Sequence, residues 1–118
     1  MTKTPDFVIY HNPRCSKSRQ TLELLREHQA EPLIIEYLKN PPTREELKAI
    51  LAKLRLKPEA IVRKGEELYK TQFKGKRLSD DEWLDVLVKN PVLIERPIVV
   101  KGAKAALGRP PENVLDLF

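Results

Sequence analysis

Phe7-Val8-Ile9-Tyr10-His11-Asn12-Pro13-Arg14-Cys15-Ser16-Lys17-Ser18-Arg19 is the stretch on which the fold turns. Its first four residues are aromatic or β-branched and read as a buried strand that ends at His11-Asn12-Pro13. From Ser16 or Ser18 the pattern becomes helical, with Leu22 and Leu25 three apart and Leu24 beside them, and runs to about His28. Cys15 therefore falls between a strand and the N-terminus of a helix.

Outward from there, Leu33-Ile34-Ile35-Glu36-Tyr37 predicts a second buried strand, and the helix between the two strands makes a right-handed βαβ unit. Thr43-Arg44-Glu45-Glu46 has capping-box spacing, and Leu47, Ile50, Leu51 and Leu54 fall on one helical face. Pro58 fits the first turn of a short helix carrying Ile61, Val62 and Arg63, and a polar helical piece follows over residues 66–70. Residues 73–77 read as loop. Ser79-Asp80-Asp81-Glu82 repeats the capping box before Trp83, Leu84, Leu87 and Val88, and Asn90-Pro91 ends that helix. Ile98-Val99-Val100 and Ala105-Ala106-Leu107 flank Gly102 as an antiparallel hairpin, which Gly108 closes. Pro110-Pro111-Glu112 starts a last helix whose Val114, Leu117 and Phe118 dock on the sheet. The expected fold class is α/β: a mixed four-stranded sheet flanked by helices, with a helical insertion between the βαβ unit and the β-hairpin.

The chain has 118 residues, 41% hydrophobic and 33% charged, which is enough to bury one core and too little for two ordinary domains. A single domain over residues 1–118 is expected. Residues 1–6 lack the apolar core of a secretory signal, and no segment approaches the roughly 18 apolar residues of a membrane span; the reading is a cytoplasmic monomer with no membrane partner. The net charge is +5, but its 22 Lys and Arg are interleaved with acids and form no basic block, so small anions are expected and nucleic acid is not.

One cysteine excludes an internal disulfide and a multi-cysteine metal site; no metal is expected. An isolated cysteine is most often a small buried hydrophobe. Residues 13–19, however, have no apolar periodicity, and a helix N-terminus offers unpaired N–H groups and a positive dipole end to a thiolate and to an oxyanion alike. Arg14, Lys17 and Arg19 add positive charge, Ser16 and Ser18 can donate hydroxyl hydrogen bonds, and His11 can either tune the thiol or simply end a strand. If Cys15 does redox work, its resolving thiol comes from another molecule. A Cys-x5-Arg phosphate loop would need arginine at position 21, where Thr21 stands.

The block from His11 to Leu22 resembles the nucleophile loop of the glutaredoxin-dependent arsenate reductase (ArsC) family, a thioredoxin-like family. The resemblance continues through Tyr37-Leu38-Lys39-Asn40-Pro41-Pro42, Arg63-Lys64, the stretch 90–100 with Glu95-Arg96-Pro97, and Gly108-Arg109-Pro110. It implies that Cys15 is the nucleophile and that Arg63, Arg96 and Arg109 bind the anion. His11, Asn12, Ser16, Ser18 and Arg19 would support the thiolate or the anion, and Pro97 would be the cis-proline facing the cysteine. It further implies arsenate as substrate, glutathione as co-substrate, glutaredoxin as partner, and no tightly bound cofactor. In Ser16-Lys17 after the cysteine, and in ending at Phe118, the chain resembles the family's housekeeping branch. Two alternatives remain: a thiol-based redox sensor, and an RNA-polymerase-binding regulator of the same fold, against whose Cys-x-x-Cys switch stands Ser18.

Overall fold

The computed structural model describes residues 6–118; the N-terminal segment read above for a leader lies outside the described residues in its first five positions. The strands are β1 (Phe7–His11), β2 (Leu33–Glu36), β3 (Ile98–Lys101) and β4 (Lys104–Leu107), and the α-helices are α1 (Ser16–Glu27), α2 (Arg44–Leu54), α3 (Glu67–Gln72) and α4 (Asp80–Lys89). The sheet order is β2-β1-β3-β4. β1 and β2 are parallel, as the α1 crossover requires, whereas β3 is antiparallel to both β1 and β4. This is the thioredoxin-like arrangement, with the helices between β2 and β3 as its insertion.

The chain forms two compact units, one of residues up to Asn40 together with those from Arg96 on, the other Pro41–Glu95. In the first, period-two alternation puts Phe7 and Ile9 on one face of β1, where they pack with Leu25, Ala30, Val99, Val114 and Leu117. His11 follows at the same parity and is buried on that face at the strand's end. In the second unit α4 packs against α2, with Leu47, Ile50, Leu51, Trp83, Leu84 and Leu87 buried. Both capping boxes form, Thr43 with Glu46 and Ser79 with Glu82.

Three expectations are corrected. β2 is not a buried strand: it is the sheet edge, and Leu33 and Ile34 are 50% and 38% exposed. The helix at Pro58 is a 3-10 turn, Pro58–Ile61, that ends before Val62; Val62 is extended and bridges Ile94, so Arg63 lies beyond the helix. The final helix, Pro111–Leu117, is also 3-10, which suits buried Val114 and Leu117 because residues three apart eclipse in that geometry. Phe118 is half exposed but rests on the Phe7 ring, centroids 4.9 Å apart. A further 3-10 turn, Pro91–Leu93, was not foreseen beyond Asn90. Among the described residues no helix is long and apolar enough to cross a membrane.

Candidate active site

Asn12 shapes the turn that leads to Cys15. Its side-chain Oδ1 accepts the Arg14 N–H at 3.0 Å, and its carbonyl accepts the Cys15 N–H at 3.0 Å. Arg19, one turn into α1, reaches back and donates from Nη1 to the Pro13 carbonyl at 2.9 Å. Cys15 then stands at the N-cap position with extended backbone (φ −96°, ψ 123°), partly exposed. Its side chain makes no capping bond, and the first turn of α1 itself carries no acidic residue to offset the positive dipole end. Ser16 lies exposed on that first turn.

Ser18 is fully buried. Its hydroxyl accepts the Asn12 N–H at 3.0 Å and bonds His11 Nδ1 at 2.6 Å, tying α1 to the end of β1. Burial pushes the His11 imidazole below its ordinary 6.5, opposed by Glu36 and reinforced by Arg19 and Arg26, so His11 is neutral at neutral pH. Of its two conceivable roles, that of a hydrogen-bonding group fits this environment and that of a cation does not.

Sequence reasoning missed the part played by Thr21 and Gly108. Thr21 is fully buried, and its Oγ1 donates to the Lys17 carbonyl at 2.8 Å and lies 3.4 Å from the Gly108 carbonyl. A Cβ at Gly108 would fall 2.5 Å from Thr21 Oγ1 and 2.7 Å from Pro97 Cγ, so only glycine permits this approach. The Gly108 N–H donates to the Pro97 carbonyl at 2.9 Å. One small residue thus holds the Pro97 loop against α1. The signal was visible in Gly108-Arg109-Pro110, but it read as a hairpin end.

Arg96 and Arg109 flank this junction, each preceding a proline in a cis peptide, Arg96-Pro97 and Arg109-Pro110. Arg109 Nη1 donates to the Arg96 carbonyl at 3.3 Å, and Arg96 Nε is buried without a hydrogen-bond partner among the described residues. A buried guanidinium N–H left unpaired asks for an acceptor from elsewhere. Arg63 belongs to the second unit. There its backbone N–H bonds the Leu93 carbonyl at 2.8 Å, and its guanidinium pairs with Glu66 through Nη1 and with Glu95 through Nε at 3.5 Å. Neither carboxylate partner was anticipated. Cys15, His11, Asn12, Ser16, Ser18, Arg19, Arg96, Pro97 and Arg109 all belong to the first unit. Among the described residues no cluster of three His, Cys, Asp or Glu side chains is placed to hold a metal ion.

The sequence and the fold are similar to those of known proteins. The family model described as "ArsC family" matches residues 10–117. The chain is 42% identical over 114 residues to the "Arsenate reductase" of Acidiphilium multivorum, covering 96% of this chain and 81% of that one. It is 44% identical over 116 residues to the "Uncharacterized protein YfgD" of Escherichia coli, covering 97% and 98%. Among solved structures, "Arsenate reductase from Vibrio cholerae" superposes with a TM-score of 0.92 at 47% identity, over 98% of this chain and 100% of that one. With a family model spanning nearly all of the sequence and relatives this similar over most of their length, the chain belongs to the ArsC family.

Proposed function

We propose that this protein is an oxidoreductase that reduces arsenate to arsenite, with Cys15 as the nucleophile and with glutathione and a glutaredoxin supplying the electrons. The observation that carries the reading is Cys15 at the N-cap of α1, a helix end with no side-chain cap and no acid in its first turn. Such an end attracts a thiolate and an oxyanion to the same place. Arg96 and Arg109 supply the paired, always-charged donors that a tetrahedral dianion needs, and the unpaired Arg96 Nε supports that role. Arg63 is the third candidate, its guanidinium held meanwhile by Glu66 and Glu95.

In the first step Cys15 Sγ attacks arsenic, an As–S bond forms and one arsenate oxygen leaves as water. A glutathione thiol then attacks Cys15 Sγ: an S–S bond forms, the As–S bond breaks, and its electron pair stays on arsenic, which departs as arsenite. Glutaredoxin takes up the glutathionyl group and returns Cys15 to the thiol. The single cysteine of the chain and the external thiol explain one another.

The test follows NADPH oxidation through glutathione reductase with arsenate as the variable. Turnover should need arsenate, glutathione and glutaredoxin together, and Arg96→Lys or Arg109→Lys should lower it at least about tenfold, about 1.4 kcal/mol. Glutathionylation under oxidant without arsenate-dependent NADPH oxidation would make the protein a thiol sensor, and retention of RNA polymerase without turnover would make it a regulator.

A further inference from the structure

β1 and β2 end side by side, with His11 opposite Glu36 in the parallel ladder. The chain leaves β1 through the turn that leads to Cys15, and leaves β2 through a second turn in which the Lys39 and Asn40 N–H groups both donate to the Glu36 carbonyl at 2.9 Å. Between the two turns, within the first unit, lies a trough of about 230 Å³. His11 and Arg14 line it from one side, Glu36, Leu38 and Lys39 from the other. Its charges are of both signs: Arg14 and Lys39 are exposed cations, and Glu36 sets a carboxylate 3.6 Å from Lys39 Nζ. Leu38, 47% exposed, adds an apolar spot. Arg14 is covalently next to Cys15.

A tetrahedral oxyanion is a poor occupant, because the trough is large for it and Glu36 repels it. A short peptide bearing carboxylates and an ammonium group matches the three charges. We propose that this trough seats the external thiol that reacts with Cys15, a small zwitterionic peptide thiol of the glutathione class, with its carboxylates toward Arg14 and Lys39 and its ammonium toward Glu36. The inference rests on the reading of Cys15 as a nucleophile resolved from outside. It adds where the resolving molecule binds and which charges select it.

Exchange with a disulfide reads the trough without arsenate. Cys15 thiolate attacks one sulfur of glutathione disulfide, the new S–S bond forms as the old one breaks, and the electron pair leaves on the released glutathione thiolate. The rate of mixed-disulfide formation at Cys15, followed by intact mass, is compared between glutathione disulfide and the uncharged bis(2-hydroxyethyl) disulfide. Because both rates depend equally on the reactivity of the sulfur, their ratio isolates recognition of the charged arms. Lys39→Glu should lower the ratio of charged to uncharged rate at least about fivefold, Arg14→Gln should lower it in the same direction, and salt should weaken the wild-type preference. A ratio unmoved by both substitutions overturns the proposal. So does a ratio unmoved while Lys39→Glu impairs only glutaredoxin-coupled turnover, which would assign the trough to a protein partner. An intact ratio in a protein that never consumes arsenate would instead reject the arsenate reading and leave the trough standing.

Discussion

At the start of α4, Ser79 accepts the Glu82 N–H at 3.2 Å, Glu82 returns the bond to the Ser79 N–H at 2.9 Å, and Asp80, Asp81 and Glu82 crowd the first turn with carboxylates. At the start of α1 the cap is Cys15, whose side chain makes no capping bond, and the nearby charges are Lys17 and Arg19. A favourable carboxylate near a helix N-terminus contributes about 0.3–1 kcal/mol and a good cap about 1 kcal/mol. The α4 end takes those gains locally. The α1 end forgoes them and is fixed from afar: Ser18 is tied to His11, and Thr21 is pressed against Gly108. The contrast marks the α1 end, which forgoes local stabilisation yet is held by distant contacts, as the end whose chemistry is to be tested.

The sharpest way to break the contrast is Cys15→Ser. Serine is a favourable N-cap, so the variant should lose all turnover while its urea midpoint stays level or rises by an amount equivalent to about 0.5–1 kcal/mol. Residual arsenate-dependent turnover in that variant would remove α1 from the chemistry. Next in size is Gly108→Ala, which forces a methyl into Thr21 and Pro97 and should cost about 1–3 kcal/mol in urea unfolding. A neutral result there would mean that α1 is not held from a distance. Ser79→Ala should cost about 1 kcal/mol yet leave the iodoacetamide alkylation rate of Cys15 as in the wild type, because the cap it removes is local to α4.

The smallest effect concerns His11, whose imidazole is held by burial below its ordinary 6.5. Folding then favours the neutral form, so the stability it contributes is present above the unfolded value and is lost as pH falls from there toward the lowered folded value. The stability of wild type relative to His11→Gln should therefore shrink between about pH 8 and about pH 5. A difference that stays constant or grows on acidification would contradict the burial of a neutral ring.

What could be read in the sequence was whatever a few neighbouring residues decide. The two capping boxes and the apolar face of α2 involve partners three or four apart, and both formed as expected. The order of elements also follows, since a helix between β1 and β2 forces parallel pairing and Gly102 permits the hairpin. Failures came where a distant partner decides. Val62 looks helical beside Ile61 until its bridge to Ile94 is formed. β2 looks buried by composition, and only the strand order makes it an edge. Among the candidate residues, Cys15 at a polar helix start was legible, whereas the Glu66 and Glu95 partners of Arg63 in the second unit and, in the first, the contact of Gly108 with Thr21, 87 residues away, were not.

The edge position of β2 also has a consequence for self-association. Leu-Ile-Ile-Glu presents one unpaired side of a ladder and two bare aliphatic side chains, the kind of rim along which copies of a chain stack as concentration rises. The net charge of +5 opposes such stacking through a long-range repulsion whose reach shortens to about 3 Å at 1 M salt. Association through this edge is therefore expected to grow with added salt, which light scattering across a salt series would show.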